Sequence, residues 1–232
     1  MALNGGAFLS LWNDIAPHRE REYDRWHTKE HVPERVAVEG FRGARRYVNR
    51  AASAHRYFTL YEVSDLAAFE HPHYRDLVAN PTPWSASMRP DFRNLVRAAC
   101  RVQASKGDGI GAAIGVLCHE RNAAAGAVDA IDALVELAGV TACHVGDGGA
   151  TATNWPQQAS HDAPTRPFDR ILLIEALDRE SAAAALDHAR LSLGFSDSTT
   201  LFGCGVYDLA FAFPGHDGAA RGAHRRPAWS AG

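Results

Sequence analysis

Apolar positions along the chain follow two periods, and they do so twice in the same order. AFLSLWN (7–13) is a short apolar run that predicts a strand. The polar stretch after it predicts a helix to about Glu30, with Asp14 as its cap, Pro17 in its first turn and Pro33 ending or kinking it. Gly40 marks a turn into FRGARRYVNR (41–50), a second strand. RYFTLYEV (56–63), rich in aromatic and β-branched residues, is a third. DLAAFEHPHYRDLVAN (65–80) begins as a helix capped by Ser64 or Asp65 and interrupted at Pro72. NPTPW (80–84) reads as a Pro-rich loop leading through Met88 to a long fourth strand, FRNLVRAACRVQA (92–104). The order is β-α-β-β-α-β.

The second half repeats this order. GAAIGVLCHE (111–120) is strand-like, AAAGAVDAIDALVELAG (123–139) a helix ending at Gly139, and VTACHVGD (140–147) a strand. FDRILLIEAL (168–177) matches RYFTLYEV by pattern. SAAAALDHARLSL (181–193) is a helix with Ser181 or Asp178 near its cap, and LFGCGVYDLAFAF (201–213) is the last strand. A repeated βαββαβ unit is the ferredoxin-like motif, whose sheet carries helices on one face only. Two such units bury their bare faces against each other. The predicted fold is therefore α+β, with tandem duplicated ferredoxin-like repeats forming a pseudo-dimeric α+β barrel. Repeat 1 covers 1–106, a degenerate repeat 2 covers 107–213, and 214–232 is a tail in which Trp229 is the candidate anchor. Residues 148–167 form an insert too long for an ordinary hairpin, with Trp155 as a candidate pocket cover.

Composition narrows the class. Hydrophobic residues make up 46% and charged ones 22%, enough for a substantial core. A net charge of −3 argues against a general nucleic-acid binder. The charge is uneven: residues 1–106 hold 16 Lys/Arg and 12 Asp/Glu (+4), residues 107–232 hold 8 and 15 (−7). A basic first half suits an anionic small molecule, because Arg grips carboxylates through two donors. Cys100, Cys118, Cys143 and Cys204 form no C-x-x-C pair and read as buried free thiols. With no signal-like N-terminus and no long apolar span, a cytoplasmic chain without membrane contact is expected.

The stretch WHTKEHVPER (26–35) carries His27, Glu30 and His31 in the H-x-x-E-H spacing of inverted zinc proteases. Positions i and i+4 share a helix face, so the two imidazoles could share a metal. A protease also needs a third ligand, and none is evident beyond Glu62 and Glu70 by composition. P-loop, Rossmann and G-x-S-x-G signatures are absent. GDGIGAAIG (107–115) opens a strand and reads as a linker. Only Lys29 and Lys106 are lysines, which disfavours Schiff-base chemistry.

The first half resembles the EthD-like dimeric α+β-barrel proteins, in particular a bacterial branch without assigned function. Carrying the resemblance are W-x3-EHVPERVAV-x-GF-x3-RRY (26–47), RYFTLYEV, H-P-x-Y (71–74), N-P-T-P-W (80–84) and FRNLVR. It covers about residues 5–105; the second half has no EH-x-PER. The resemblance implies a barrel of two ferredoxin-like sheets and small-molecule work: lactone isomerases, cyclases, decarboxylases, monooxygenases and some haem enzymes share the fold. A histidine near His31 is the usual acid–base residue there.

Two readings of His31 stay open: an acid–base group oriented by Glu34, or a structural clamp of His31, Glu34 and Arg35. Arg45 and Tyr47 alternate to one strand face and Arg46 to the other. An arginine inside a barrel needs a carboxylate such as Glu62, or an anionic substrate. Trp12, Tyr57, Tyr61 and Trp84 supply aromatic walls for a flat ligand, or simply core. In the second half only His144, mid-strand, stands out. The leading expectation is a cofactor-independent enzyme of isomerase, cyclase, decarboxylase or lyase type on a small anionic or aromatic metabolite. His31 and Glu34 would be catalytic, with Arg45, Arg46, Tyr47, Trp12, Tyr61 and Trp84 binding substrate. No cofactor is expected; a metal at His27 and His31, or a haem, is the alternative. A non-catalytic binding barrel and a haem or oxygen-using oxidoreductase are the other functional readings, and self-association stays open.

Overall fold

Strand β1 (Ala7–Ile15) is buried along almost its whole length, because both of its faces are covered. In a computed structural model of the chain, β1 lies in a closed barrel with helices packed on its outside. The structure describes residues 3–119, 126–148, 168–195 and 203–215. The expected insert with Trp155, the tail from residue 216 with Trp229, and the first residues of the expected helix at 123 and strand at 201 lie outside them.

The other strands are β2 (Phe41–Val48), β3 (Tyr57–Val63), β4 (Phe92–Gly107), β5 (Ala113–His119), β6 (Val140–Asp147), β7 (Arg170–Ala176) and β8 (Gly205–Pro214). Around the barrel they run β1-β3-β2-β8-β5-β7-β6-β4, every neighbouring pair antiparallel. Each half contributes four strands ordered fourth, first, third, second. One seam is β2 against β8. The other is the long β4, whose Arg101 pairs with Ala7 on one side and Asp147 on the other. Closure leaves no free strand edge in the sheet.

The barrel interior is filled. Phe8, Trp12, Phe58, Leu60, Ile114, Leu173 and Tyr207 form one buried cluster, with the Trp12 and Phe58 rings 4.9 Å apart. Gly146 belongs to this packing: a Cβ there would fall 2.4 Å from the Phe8 ring. Outside the second half, α5 (Ala127–Leu134) and α6 (Arg179–Ser192) close tightly on the sheet, because their inward residues are mostly Ala, Ile and Leu. Asp178 caps α6 through the Ser181 N–H.

Outside the first half the cover is looser and longer. It consists of α1 (Glu20–Trp26), a π-turn (His27–His31), α2 (Val32–Val36), α3 (Pro72–Ala79) and α4 (Pro83–Met88). Three expectations change here. Asp14 does not cap the helix; its carboxylate accepts the His55 and Arg56 N–H groups and the Asn94 side chain. Pro33, expected to end or kink the helix, does not end it but distorts it locally. Lacking an N–H, it cannot bond back to residue 29, and the backbone opens into a π-turn in which the Val32 N–H reaches the His27 carbonyl. NPTPW is not only loop: Thr82 accepts the Ser85 N–H as a cap, and Pro83 sits in the first turn of α4.

Candidate functional site

Between the outer face of the first-half sheet and these helices lies a cavity of about 140 Å³, partly open to solvent. The helical cover sets its roof. Tyr23, His27, His31 and Arg35 recur every four residues and all line it. In an α-helix that spacing drifts around the axis, because a turn takes 3.6 residues. The wider π-turn between His27 and His31 opposes the drift and keeps the four side chains in one row. Leu9, Leu11 and Asn13 of β1, Tyr61 of β3 and Leu95 and Arg97 of β4 make the floor. Arg89, just after α4, closes one side.

The row is held from both ends. Tyr23 donates to Asn13 Oδ1 at 3.1 Å. The Trp26 indole donates to Ser85 Oγ, which in turn donates to the buried Glu30 carboxylate; Thr82 donates to the same oxygen. Trp26 then lies against His31, with ring centroids 4.2 Å apart. Glu30 of the H-x-x-E-H pattern thus ties the π-turn to α4 and fixes the wall beside His31. It is occupied away from the imidazole pair, whose rings stand 5.3 Å apart. Among the described residues no group of three or more His, Cys, Asp or Glu side chains is placed to hold a metal.

The electrostatics are one-sided. Arg35, Arg89 and Arg97 line the cavity, and no carboxylate does among its described lining residues. Burial and then the Arg35 charge hold the Arg89 guanidinium below its ordinary pKa, and Arg97 is lowered by burial with Arg35 adding to it. Burial holds both imidazoles well below 6.5; Arg46 and Arg35 add to this at His27, Arg35, His27 and Arg89 at His31. Both are neutral at pH 7. Their Nδ1 atoms, and the buried Tyr61 hydroxyl, have no hydrogen-bond partner among the described residues. Burial also raises the Tyr61 phenol, keeping it protonated.

Of the sequence candidates, His31, His27 and Tyr61 meet at this cavity. Glu34 lies 4.0 Å from Arg35 and does not line the cavity. Trp84 donates to Glu22 and stacks near Arg25 outside it. Arg46 faces the helices, paired with Asp24 at 3.2 Å and lying over the Tyr23 ring. Arg45, Tyr47 and Trp12 point into the barrel instead. Arg45 pairs with Glu62 and Glu175, Tyr47 donates to Glu175, and His144 contacts Ser105 at 2.8 Å. Arg89, Arg97 and Tyr23 were not among the sequence candidates. For Tyr23 the signal was the four-residue spacing to His27, His31 and Arg35; the two arginines carry no comparable pattern.

No family model matches the chain, and no curated protein matches it by sequence. Solved structures do match in fold. An anthrone oxidase-like protein is 11% identical over 94% of this chain and 97% of its own, with a TM-score of 0.62. A Fusobacterium nucleatum protein provisionally assigned as a monooxygenase is 13% identical over 91% and 96%, TM-score 0.56. A haem-binding protein from Thermus thermophilus is 11% identical over 90% and 92%, TM-score 0.51. The chain therefore has the fold of the dimeric α+β-barrel proteins. The expectation of no cofactor is corrected by the same comparison, since the barrel is shared with a haem-binding protein. The 140 Å³ cavity itself is sized for one six-membered ring, close to the roughly 150 Å³ that admits benzene. It does not fit a porphyrin as it stands. Among the described residues no helix is long and apolar enough to cross a membrane.

Proposed function

We propose that the first-half cavity binds a small organic anion built on one ring or of similar size, and that His31 moves a proton on it. The observation that carries this reading is the convergence of Arg35, Arg89 and Arg97 on a cavity with no carboxylate among its described lining residues. Three guanidinium groups lining one cleft raise the positive potential there and draw an anion in. The aromatic and aliphatic walls suit a flat, apolar body.

The chemistry follows from the protonation states. A neutral His31 accepts a proton from an acidic C–H or O–H of the bound anion. The charge that develops on the ligand is met by Arg35 and by the Tyr61 hydroxyl, which is protonated and free to donate. Glu34 positions Arg35. The products consistent with this are those of an isomerase, cyclase, decarboxylase or lyase. A second reading, an oxidoreductase in which dioxygen oxidises the deprotonated ligand and is itself reduced, draws support from the fold neighbour assigned as a monooxygenase.

We further read residues 1–106 and 107–213 as copies of one ferredoxin-like unit, the first of the EthD-like branch. Their strand orders agree, and EH-x-PER and the described cavity belong to the first; among the described residues of the second, Ala, Ile and Leu side chains pack between the helices and the sheet.

A thermal-shift screen of wild type and His31→Ala against small carboxylates, lactones, phenols and divalent metals tests the reading, since a ligand specific to the native state raises the melting temperature. An organic acid should stabilise wild type, and the His31→Ala response should differ in a folded variant. Stabilisation by metals alone, or a Soret band in the purified protein, would redirect the assignment.

A further inference from the structure

The proposed site holds two imidazoles, and a single proton abstraction uses one. His27 and His31 occupy consecutive positions in the row Tyr23, His27, His31, Arg35, with ring centroids 5.3 Å apart. Both line the cavity, and both present a buried Nδ1 with no partner among the described residues. A partnerless ring nitrogen in a buried site loses a hydrogen bond it would make in water. At His27, which is 2% exposed, the neighbouring rings of Tyr23 and Trp26 offer no acceptor or donor to that nitrogen.

The charges around the row are graded. Arg35 and Arg89 both act on His31, whereas His27 feels Arg46 and Arg35 and lies beside Tyr23. Arg35 ends the row Tyr23, His27, His31, Arg35, so an acid group held there leaves the ligand body facing His31 and then His27.

Resting on the reading of the cavity as an acid-binding, proton-moving site, we propose that His27 is a second catalytic residue and that the reaction is a proton shift within one ligand. One imidazole takes a proton as a C–H or O–H bond breaks, and the electron pair moves into the ligand's conjugated system. The other imidazole gives a proton to a different atom, where a new bond forms. Proton count and oxidation level are unchanged, so no co-reactant is needed. Each neutral ring has one nitrogen that accepts and one that carries a proton. The step leaves one ring as imidazolium and the other as imidazolate, and proton transfer between the neighbouring rings, 5.3 Å apart by centroid, restores both for the next turnover. The substrate class is an enolisable acid with an aromatic or similarly flat body.

Phenylpyruvate is the probe: it carries a ring, a carboxylate and an exchangeable CH2 beside a ketone. Its enol–keto conversion is followed by ultraviolet absorbance, and deuterium uptake at the CH2 by NMR in D2O. Wild type is expected to accelerate both by at least tenfold, and His31→Gln or His27→Gln to lose enol–keto conversion by at least tenfold while still binding the probe. His27→Gln with wild-type rates would overturn the two-histidine proposal and leave the acid site and His31 standing. Failure of phenylpyruvate, benzoate and related acids to bind wild type would overturn the site reading itself. If the His27 variants do not fold, 15N spectra of the wild-type histidines decide. Both ring signals should move on adding phenylpyruvate, and an unmoved His27 signal counts against its role.

Discussion

Arg45 of β2 and Glu175 of β7 meet inside the barrel, 130 residues apart in sequence, and join the two halves through a buried ion pair. Glu62 holds the other side of the guanidinium at 2.8 Å, while Tyr47 and the Gly111 N–H bond to Glu175. Burial pushes the Glu175 carboxyl up, and Arg45 and its hydrogen bonds oppose this. Removing one partner of such a pair leaves uncompensated buried charge. Arg45→Met should cost about 3–5 kcal/mol of unfolding free energy. Arg45→Met with Glu175→Met should recover part of it, as chemical denaturation can show.

This cluster also shows how far the sequence carried. Alternation along β2 put Arg45 and Tyr47 on one face, and the need to neutralise a barrel arginine singled out Glu62. Glu175 was equally visible as the only acid within the apolar run ILLIEAL, but its partner lies in the other half, and no local pattern links the two. The strands themselves were legible because both of their faces are buried and they show as nearly continuous apolar runs. The π-turn and α4 were not, since Pro was read as a breaker where it instead starts a helix or widens a turn. Arg89 and Arg97 were illegible for a different reason: an arginine on a short helix end or a strand looks the same whether it meets solvent or a cavity.

Pro33 gives a direct test of the row. Pro33→Ala restores an N–H that can bond to the Lys29 carbonyl, favouring ordinary α register over the π-turn. Stability should change little or rise. Affinity for small aromatic acids should fall about tenfold or more as Tyr23 and His27 rotate out of line with His31 and Arg35. Unchanged affinity, measured by calorimetry, would mean the π-turn is not what aligns the site.

Glu30→Ala removes the acceptor shared by Thr82 and Ser85 and leaves their hydroxyls short of a partner. A loss of about 1–3 kcal/mol is expected. Because Trp26 is fixed through Ser85, the His31 ring should also lose order, visible as broadened imidazole NMR signals. Glu30→Gln should retain most of the stability.

Acid should destabilise the fold in a defined window. His27 and His31 are held well below 6.5 by burial and nearby arginines, and burial pushes His144 down to about 3, with Arg45 adding. The unfolded chain takes up these protons first, so the stabilising contribution is whole above about pH 6.5 and is lost as pH falls toward the native values. Each histidine should contribute a slope of about 1.4 kcal/mol per pH unit below that point. His144→Phe, which cannot titrate, should flatten the slope measured by urea titration between pH 7 and 5.

Charge at the cavity is the centre of the account, and comparison of two near-identical ligands isolates it. Benzoate and benzamide share ring and shape, and only benzoate is anionic. Calorimetric titration of the wild-type chain at pH 7 should find benzoate binding at least tenfold tighter, with the preference lost in Arg97→Gln. Equal affinity for the two, or binding of neither, would contradict an anion-binding site built from Arg35, Arg89 and Arg97.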